Sequence, residues 1–175
     1  MVRYNRTIYS VTEYLSEAIV LEKETSGDLD IRVSLFTKKF GKLKARAKSA
    51  RRIVSKLSPH LEPGNVVLAR LIEKNGLQVV DALKQARLAL PPGDLFFLNH
   101  IIAEAEPDIR LWRSIMSDDF SWVRILEILG WDPREAACAH CAGSKPAFFS
   151  VFKQELFCDE CASKLGRSTL LCINQ

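Results

Sequence analysis

The sequence predicts a mixed β and α chain: an N-terminal five-stranded OB-fold barrel, a small helical domain and a four-cysteine, zinc-ribbon-like module. Three observations carry this. Five β-rich runs joined by short turns fill the first half of the chain, with no long helix between them. Beyond Pro91-Pro92-Gly93 the apolar period changes from two to between three and four. Two CxxC pairs then follow near the C-terminal end. Domains are expected over residues 1–88 and 89–175, with the cysteine module at about 134–166.

Each element has its own signal. Residues 1–16 carry Tyr4, Tyr9 and Tyr14 and read as an arm or lead-in strand. Ala18–Lys23 is a short β-rich run, closed by the turn Ser26-Gly27-Asp28. Leu29, Ile31, Val33 and Leu35 alternate with polar residues, which places them on one face of a strand. Phe40-Gly41 turns the chain. Leu43, Ala45 and Ala47 then point one way and Lys42, Lys44, Arg46 and Lys48 the other. Residues 49–61 read as a short helix or a bent loop. Glu62-Pro63-Gly64-Asn65 is a turn, Val66–Glu73 a strand, and Asn75-Gly76 the type I′ signal of a hairpin completed by Leu77–Leu83. The five strands are expected to be antiparallel.

Past the break, Asp94 is expected to cap a helix reaching about Glu106, with Phe97, Leu98, Ile101, Ile102 and Ala105 on one stripe. Ile109, Trp112, Ile115 and Met116 form a second stripe. Ser117-Asp118 caps a third helix bearing Phe120, Val123, Leu126 and Leu129, with Gly130 at C′. Phe148–Phe152, the turn Lys153-Gln154 and Leu156-Phe157 form a hairpin, followed by a short tail after Gly166.

Charge is placed unevenly. The chain has 25 basic and 21 acidic residues, a net charge of +4. Nine of the cations lie between Lys38 and Lys56 with no acid among them: Lys38, Lys39, Lys42, Lys44, Arg46, Lys48, Arg51, Arg52 and Lys56. Outside this stretch the balance is 16 basic against 21 acidic. A one-signed segment on an acidic chain makes a local positive field, whose natural partner is a polyanion. On a strand the cations of one face recur every ~6.6 Å, a row that suits a nucleic-acid backbone. Phe36 and Phe40 flank the stretch; they are either barrel core or rings on which bases stack.

Cys138, Cys141, Cys158 and Cys161 are two CxxC pairs separated by sixteen residues. That spacing folds two knuckles around one tetrahedral Zn²⁺. Four thiolates leave no open position for water, so the ion is expected to be structural. Cys172 is a spare thiol, and His140, inside the first knuckle, is expected to be exposed, the alternative being that it replaces one of the ligands. No nucleotide-binding glycine loop, serine elbow or HExxH is present, and His60, His100 and His140 are scattered. The expectation is a protein that is not an enzyme. With no bilayer-length apolar run and no secretory signal, it is expected in the cytoplasm, without a membrane partner.

The run from Glu17 to Arg52, EAIVLEKETSGDLDIRVSLFTKKFGKLKARAKSARR, then LEPGN, a helical region, FSWVRILEILGWDP and a four-cysteine module resembles the bacterial recombination-repair protein RecO family, as a short variant. The resemblance covers about residues 17–161. It implies binding of single- and double-stranded DNA, annealing of complementary strands, and loading of the RecA recombinase with RecR onto strands covered by single-stranded-DNA-binding protein. It also implies association with the nucleoid. It puts DNA contact on Lys42, Lys44, Arg46, Lys48, Arg51 and Arg52, and zinc on the four paired cysteines. The expected function is therefore a non-enzymatic DNA-binding mediator of recombinational repair. The alternative is a zinc-ribbon adaptor whose basic face binds RNA or an acidic protein.

Overall fold

A computed structural model of the 175-residue chain describes residues 12–143, 145–165 and 169–173. The described chain divides into two compact units, one within residues 1–37 and 43–87, the other within 38–42 and 88–175. Tyr4 and Tyr9 lie outside the described residues; Tyr14 belongs to the first strand.

The first unit is a closed barrel of β1 (Thr12–Ser26), β2 (Asp30–Thr37), β3 (Gly41–Ala47), β4 (Asn65–Glu73) and β5 (Leu77–Arg87), in the order β1-β2-β3-β5-β4. β1 is the longest because it serves two neighbours. It pairs antiparallel with β2 from Ala18 to Ser26, through a bulge at Val20–Glu22, and with β4 from Thr12 to Ile19. One pairing differs from expectation: β3 meets β5 in parallel, at Arg46 and Gln78. The loop and β4 between them supply the crossover that a parallel pair needs.

The interior follows the period of two. Ile31, Val33, Leu35, Val67, Leu71 and Val79 fill it. Ala18, Ala45, Ala47, Ala69 and Ala82 supply the small side chains that a narrow barrel requires. Asn75 and Gly76 both have positive φ, 52° and 96°, as the hairpin signal demands. Residues 48–64 form a bent loop containing one 3₁₀ turn, Ser58–Leu61. Asn65 Nδ2 donates to the Pro59 and His60 carbonyls, and Leu61 is fully buried.

The second unit begins with α1 (Pro92–Ile101), α2 (Ile109–Ile115) and α3 (Trp122–Ile128). α1 stops short of Glu106. Past the extended C-cap Ile102 the chain leaves the helix: Glu104 bridges to Lys42, Ala105 turns at φ 58°, and its N–H donates to the Lys42 carbonyl at 2.9 Å. Asp94 is not the cap, because the helix begins at Pro92 and Asp94 lies within its first turn; its carboxylate accepts the Trp122 indole N–H at 3.1 Å. The capping residue of α2 is Asp108, which accepts the Arg110 and Leu111 N–H groups. Ser121, four residues beyond Ser117, precedes α3, and the buried residues of that helix are Trp122, Ile125 and Leu126. Gly130 closes α3 at φ 96°, with Trp131 N–H donating to Leu126 O, the C′ role read from sequence.

The cysteine segment forms β6 (Phe148–Ser150), β7 (Glu155–Phe157), the one-turn helix α4 (Asp159–Ala162) and β8 (Leu170–Cys172), with sheet order β7-β6-β8. The expected tail thus contributes a third strand. Cys172 sits in it, paired in register with Phe148.

Candidate nucleic-acid interface and metal centre

The cation row is built by the pleat of β3. Ala45 and Ala47 face the interior while Lys44 and Arg46 face solvent, and Lys48 continues the exposed row past the strand end. Lys42 departs from the expected row. It is 6% exposed, and its ammonium donates to the Asn99 carbonyl at 2.6 Å. The backbone at 104–105 pairs beside Lys42, and the side chain turns to the Asn99 carbonyl of α1. Lys38 and Lys39 are exposed on the β2–β3 turn.

The other cations divide by role. Arg51 is tied down, its guanidinium donating to the carbonyls of Gly27 (3.1 Å) and Asp28 (3.0 Å). Arg52 and Lys56 are exposed on the loop. Arg46 reaches Asp30, with Nε to Oδ2 at 2.6 Å, and Ser49 N–H donates to the other carboxylate oxygen at 2.6 Å. Asp30 is held below the usual carboxylate range, first by that Ser49 N–H and then by Arg46 and Lys48. Arg46 is thus drawn toward Asp30 on β2 and partly neutralised by it.

Parallel pairing of β3 with β5 brings the β4–β5 turn alongside. Arg46, Lys48, Lys74, Asn75, Gly76, Leu77 and Gln78 line an open cleft of about 340 Å³. Lys74 and Gln78 were not among the sequence candidates. Their signal, a Lys-Asn-Gly hairpin, says nothing of its neighbour until the barrel closes. Lys44 looks onto a smaller, mixed-sign hollow with Glu22, Glu24 and Arg32. Phe36 is fully buried, since every residue from Val33 to Thr37 is covered on both faces of β2, and it offers no ring for stacking. Phe40 is half-buried.

The histidines have packing roles or none. His60 Nδ1 accepts the Lys84 N–H at 3.1 Å, and His100 lies on α1 between Phe96 and Phe152. His140 is exposed, and Asp118 and Asp119 are exposed before α3.

Cys138, Cys141, Cys158 and Cys161 converge. Their Sγ atoms all lie within 4.8 Å of one another, and Cys141 and Cys158 are 3.8 Å apart. Tetrahedral thiolate ligation at ~2.3 Å separates sulfurs by roughly 3.8 Å, so the donor set fits one metal ion. The two knuckles repeat one turn. Ala142 N–H donates to Cys138 O and Ala162 N–H to Cys158 O, each at 2.9 Å. Backbone N–H groups around Cys158 and Cys141 lower the Cys138 thiol to about 6, and the Gly143 N–H lowers Cys141. Burial, then the neighbouring sulfurs, push Cys161 up to about 12. Four such thiols cannot all ionise beside one another, whereas a divalent cation at their centre would favour all four thiolates. Phe148, Phe157, Leu165 and Leu170 pack around them.

Together these features define a β-barrel protein with an exposed cationic strand and a four-cysteine cluster that could hold a metal ion. Residues 11–89 match the family described as recombination protein O, N-terminal. A DNA repair protein RecO from Bifidobacterium longum (strain DJO10A) is 25% identical over 174 residues, covering 83% of this chain and 73% of that protein. One from Thermodesulfovibrio yellowstonii is 28% identical over 182 residues, covering 89% and 73%. One from Cutibacterium acnes is 36% identical over 67 residues, 38% of this chain and 27% of that protein. The chain is thus similar to RecO proteins over most of its length, and its barrel is the part that the family model covers.

Proposed function

We propose that this chain is a DNA-binding mediator of recombinational repair that acts without catalysis. The observation that carries the reading is the exposed row of Lys44 and Arg46 on β3 and Lys48 just past its end, continued by Lys74 across the cleft. The strand order, with its parallel β3–β5 closure, supports reading the barrel as an OB-fold, whose outer face and loops bind oligonucleotides. The relatives are named as DNA repair proteins.

The mechanism is electrostatic. Cations at strand spacing neutralise successive phosphates and release their counterions. Two complementary strands held this way repel each other less, which favours annealing. Lys38, Lys39, Arg52 and Lys56 extend the positive field. Arg51 contributes chiefly by bracing the loop, and Lys42 by holding the turn.

The four thiolates hold Zn²⁺ as a structural ion, since all four ligand positions come from protein. The ion braces a segment whose own apolar core is small. Partners expected on kinship are RecR and single-stranded-DNA-binding protein, in the cytoplasm at the nucleoid. Among the described residues no helix is long and apolar enough to cross a membrane.

The test is competition at one salt concentration. A labelled single-stranded oligonucleotide bound to the protein is challenged with unlabelled DNA, RNA and an acidic peptide, and annealing of complementary strands is followed in parallel. Displacement by DNA with faster annealing supports the reading. Displacement by the peptide alone would assign the basic face to a protein partner.

A further inference from the structure

Ile53 is fully exposed and Val54 is 82% exposed, at the crest of the loop between β3 and β4. They are the two central residues of a turn closed by the Ser55 N–H on the Arg52 carbonyl at 2.9 Å. Turn crests ordinarily take Gly, Pro, Asn, Asp or Ser. Two adjacent β-branched aliphatics gain nothing there from turn geometry and lose by standing in water.

The stem below them is braced. Arg51 N–H donates to Leu29 O at 2.9 Å, its guanidinium holds the Gly27 and Asp28 carbonyls, and Ser49 N–H is held by Asp30. The apolar crest is therefore presented on a fixed arm, with exposed Arg52 on one side and Lys56 on the other.

An apolar point between cations fits a ligand that is anionic outside and apolar within. Duplex DNA is such a ligand, and apolar side chains, isoleucine among them, wedge between its base steps. Single-strand binders use aromatic rings for this, and Phe36 is buried. A lipid surface would also offer charge over apolar depth. Two side chains on a turn, however, give little of the apolar area on which interfacial binding depends.

We propose that this loop is a DNA wedge: Ile53 and Val54 insert between adjacent base pairs of a duplex while Arg52 and Lys56 hold the flanking phosphates. The inference rests on the DNA-binding reading above. Its consequence is local unstacking, which would open a duplex to exchange with a third strand.

The test uses the full chain and a duplex carrying 2-aminopurine, whose fluorescence rises when it is unstacked. The variants are I53S/V54S and R52A/K56A. All four side chains are exposed, so melting temperatures should match wild type. Wild type should raise the fluorescence. I53S/V54S should bind within about threefold of wild-type affinity but lose the rise. R52A/K56A should bind more weakly yet show the rise at saturating protein. Duplex binding without a fluorescence rise, or an equal rise with I53S/V54S, would overturn the wedge while leaving DNA binding intact. No binding to any DNA would instead remove the DNA reading itself. Sedimentation with phosphatidylglycerol vesicles that I53S/V54S abolishes, with its DNA signal unchanged, would assign the crest to lipid and refute the wedge.

Discussion

Replacing Gly41 by alanine should loosen the segment around Lys42 far more than a surface glycine change normally would. Gly41 has φ 70°, a left-handed conformation that costs an L-residue about 1–2 kcal/mol. The added Cβ would also run into the Glu106 backbone, at its N, C and O atoms. None is the flexible end of a side chain, so one backbone segment must shift. The bonds at risk are Ala105 N–H to Lys42 O at 2.9 Å and the Lys42 ammonium to Asn99 O at 2.6 Å. A neutral bond contributes about 1 kcal/mol, and a charged one about 1.5–3 kcal/mol. The total expected loss is about 3.5–6 kcal/mol, or a melting shift of roughly 7–24 °C for a chain of this size. Thermal denaturation measures the total, and hydrogen exchange at the Ala105 amide localises it. A loss below about 1 kcal/mol, with Ala105 still protected, would refute the close approach.

Other consequences follow from the same structure. Removing metal with a strong chelator under reducing conditions should unfold the segment from Cys138 to Cys172 while the barrel keeps its melting transition; fresh reduced protein with well under one zinc per chain would contradict the site. Asp30 is held below its unfolded pKa of about 3.9, so its stabilisation is complete above that pH and is lost as pH falls through the lower, folded value. The urea midpoint of Asp30→Asn should therefore lie below wild type at pH 7 and converge with it under acid. Parallel midpoint curves would show that Asp30 is not linked to folding.

Much of the barrel was legible because its signals are local. Period-two alternation placed Ile31, Val33, Leu35, Ala45 and Ala47 inside, and Asn75-Gly76 announced its own turn. The cysteine pairs were legible for the same reason: each knuckle needs only four residues, and together they bring the sulfurs within 4.8 Å. What stayed hidden depends on partners distant in the chain. Alternation alone puts Lys42 among the exposed cations, but residues 104–105 come to lie against it. α1 ends early for the same reason, because pairing replaces helix after Ile102. Phe36 shares a face with Arg32, yet only the N-terminal part of that face is open. Lys74 joins the cation cleft through the parallel closure at Arg46 and Gln78, which no local pattern announces.

The central claim is that β3 carries a phosphate-tracking row, and the salt dependence of DNA binding tests it most directly. Each phosphate contact on a single strand contributes about −0.7 to the slope of log K against log salt. Lys44→Ala, Arg46→Ala and Lys48→Ala combined should flatten that slope by about 2, or nearer 1.4 if Asp30 already neutralises Arg46. Affinity should fall at low salt and converge with wild type at high salt. A triple variant with the wild-type slope and affinity would contradict the account.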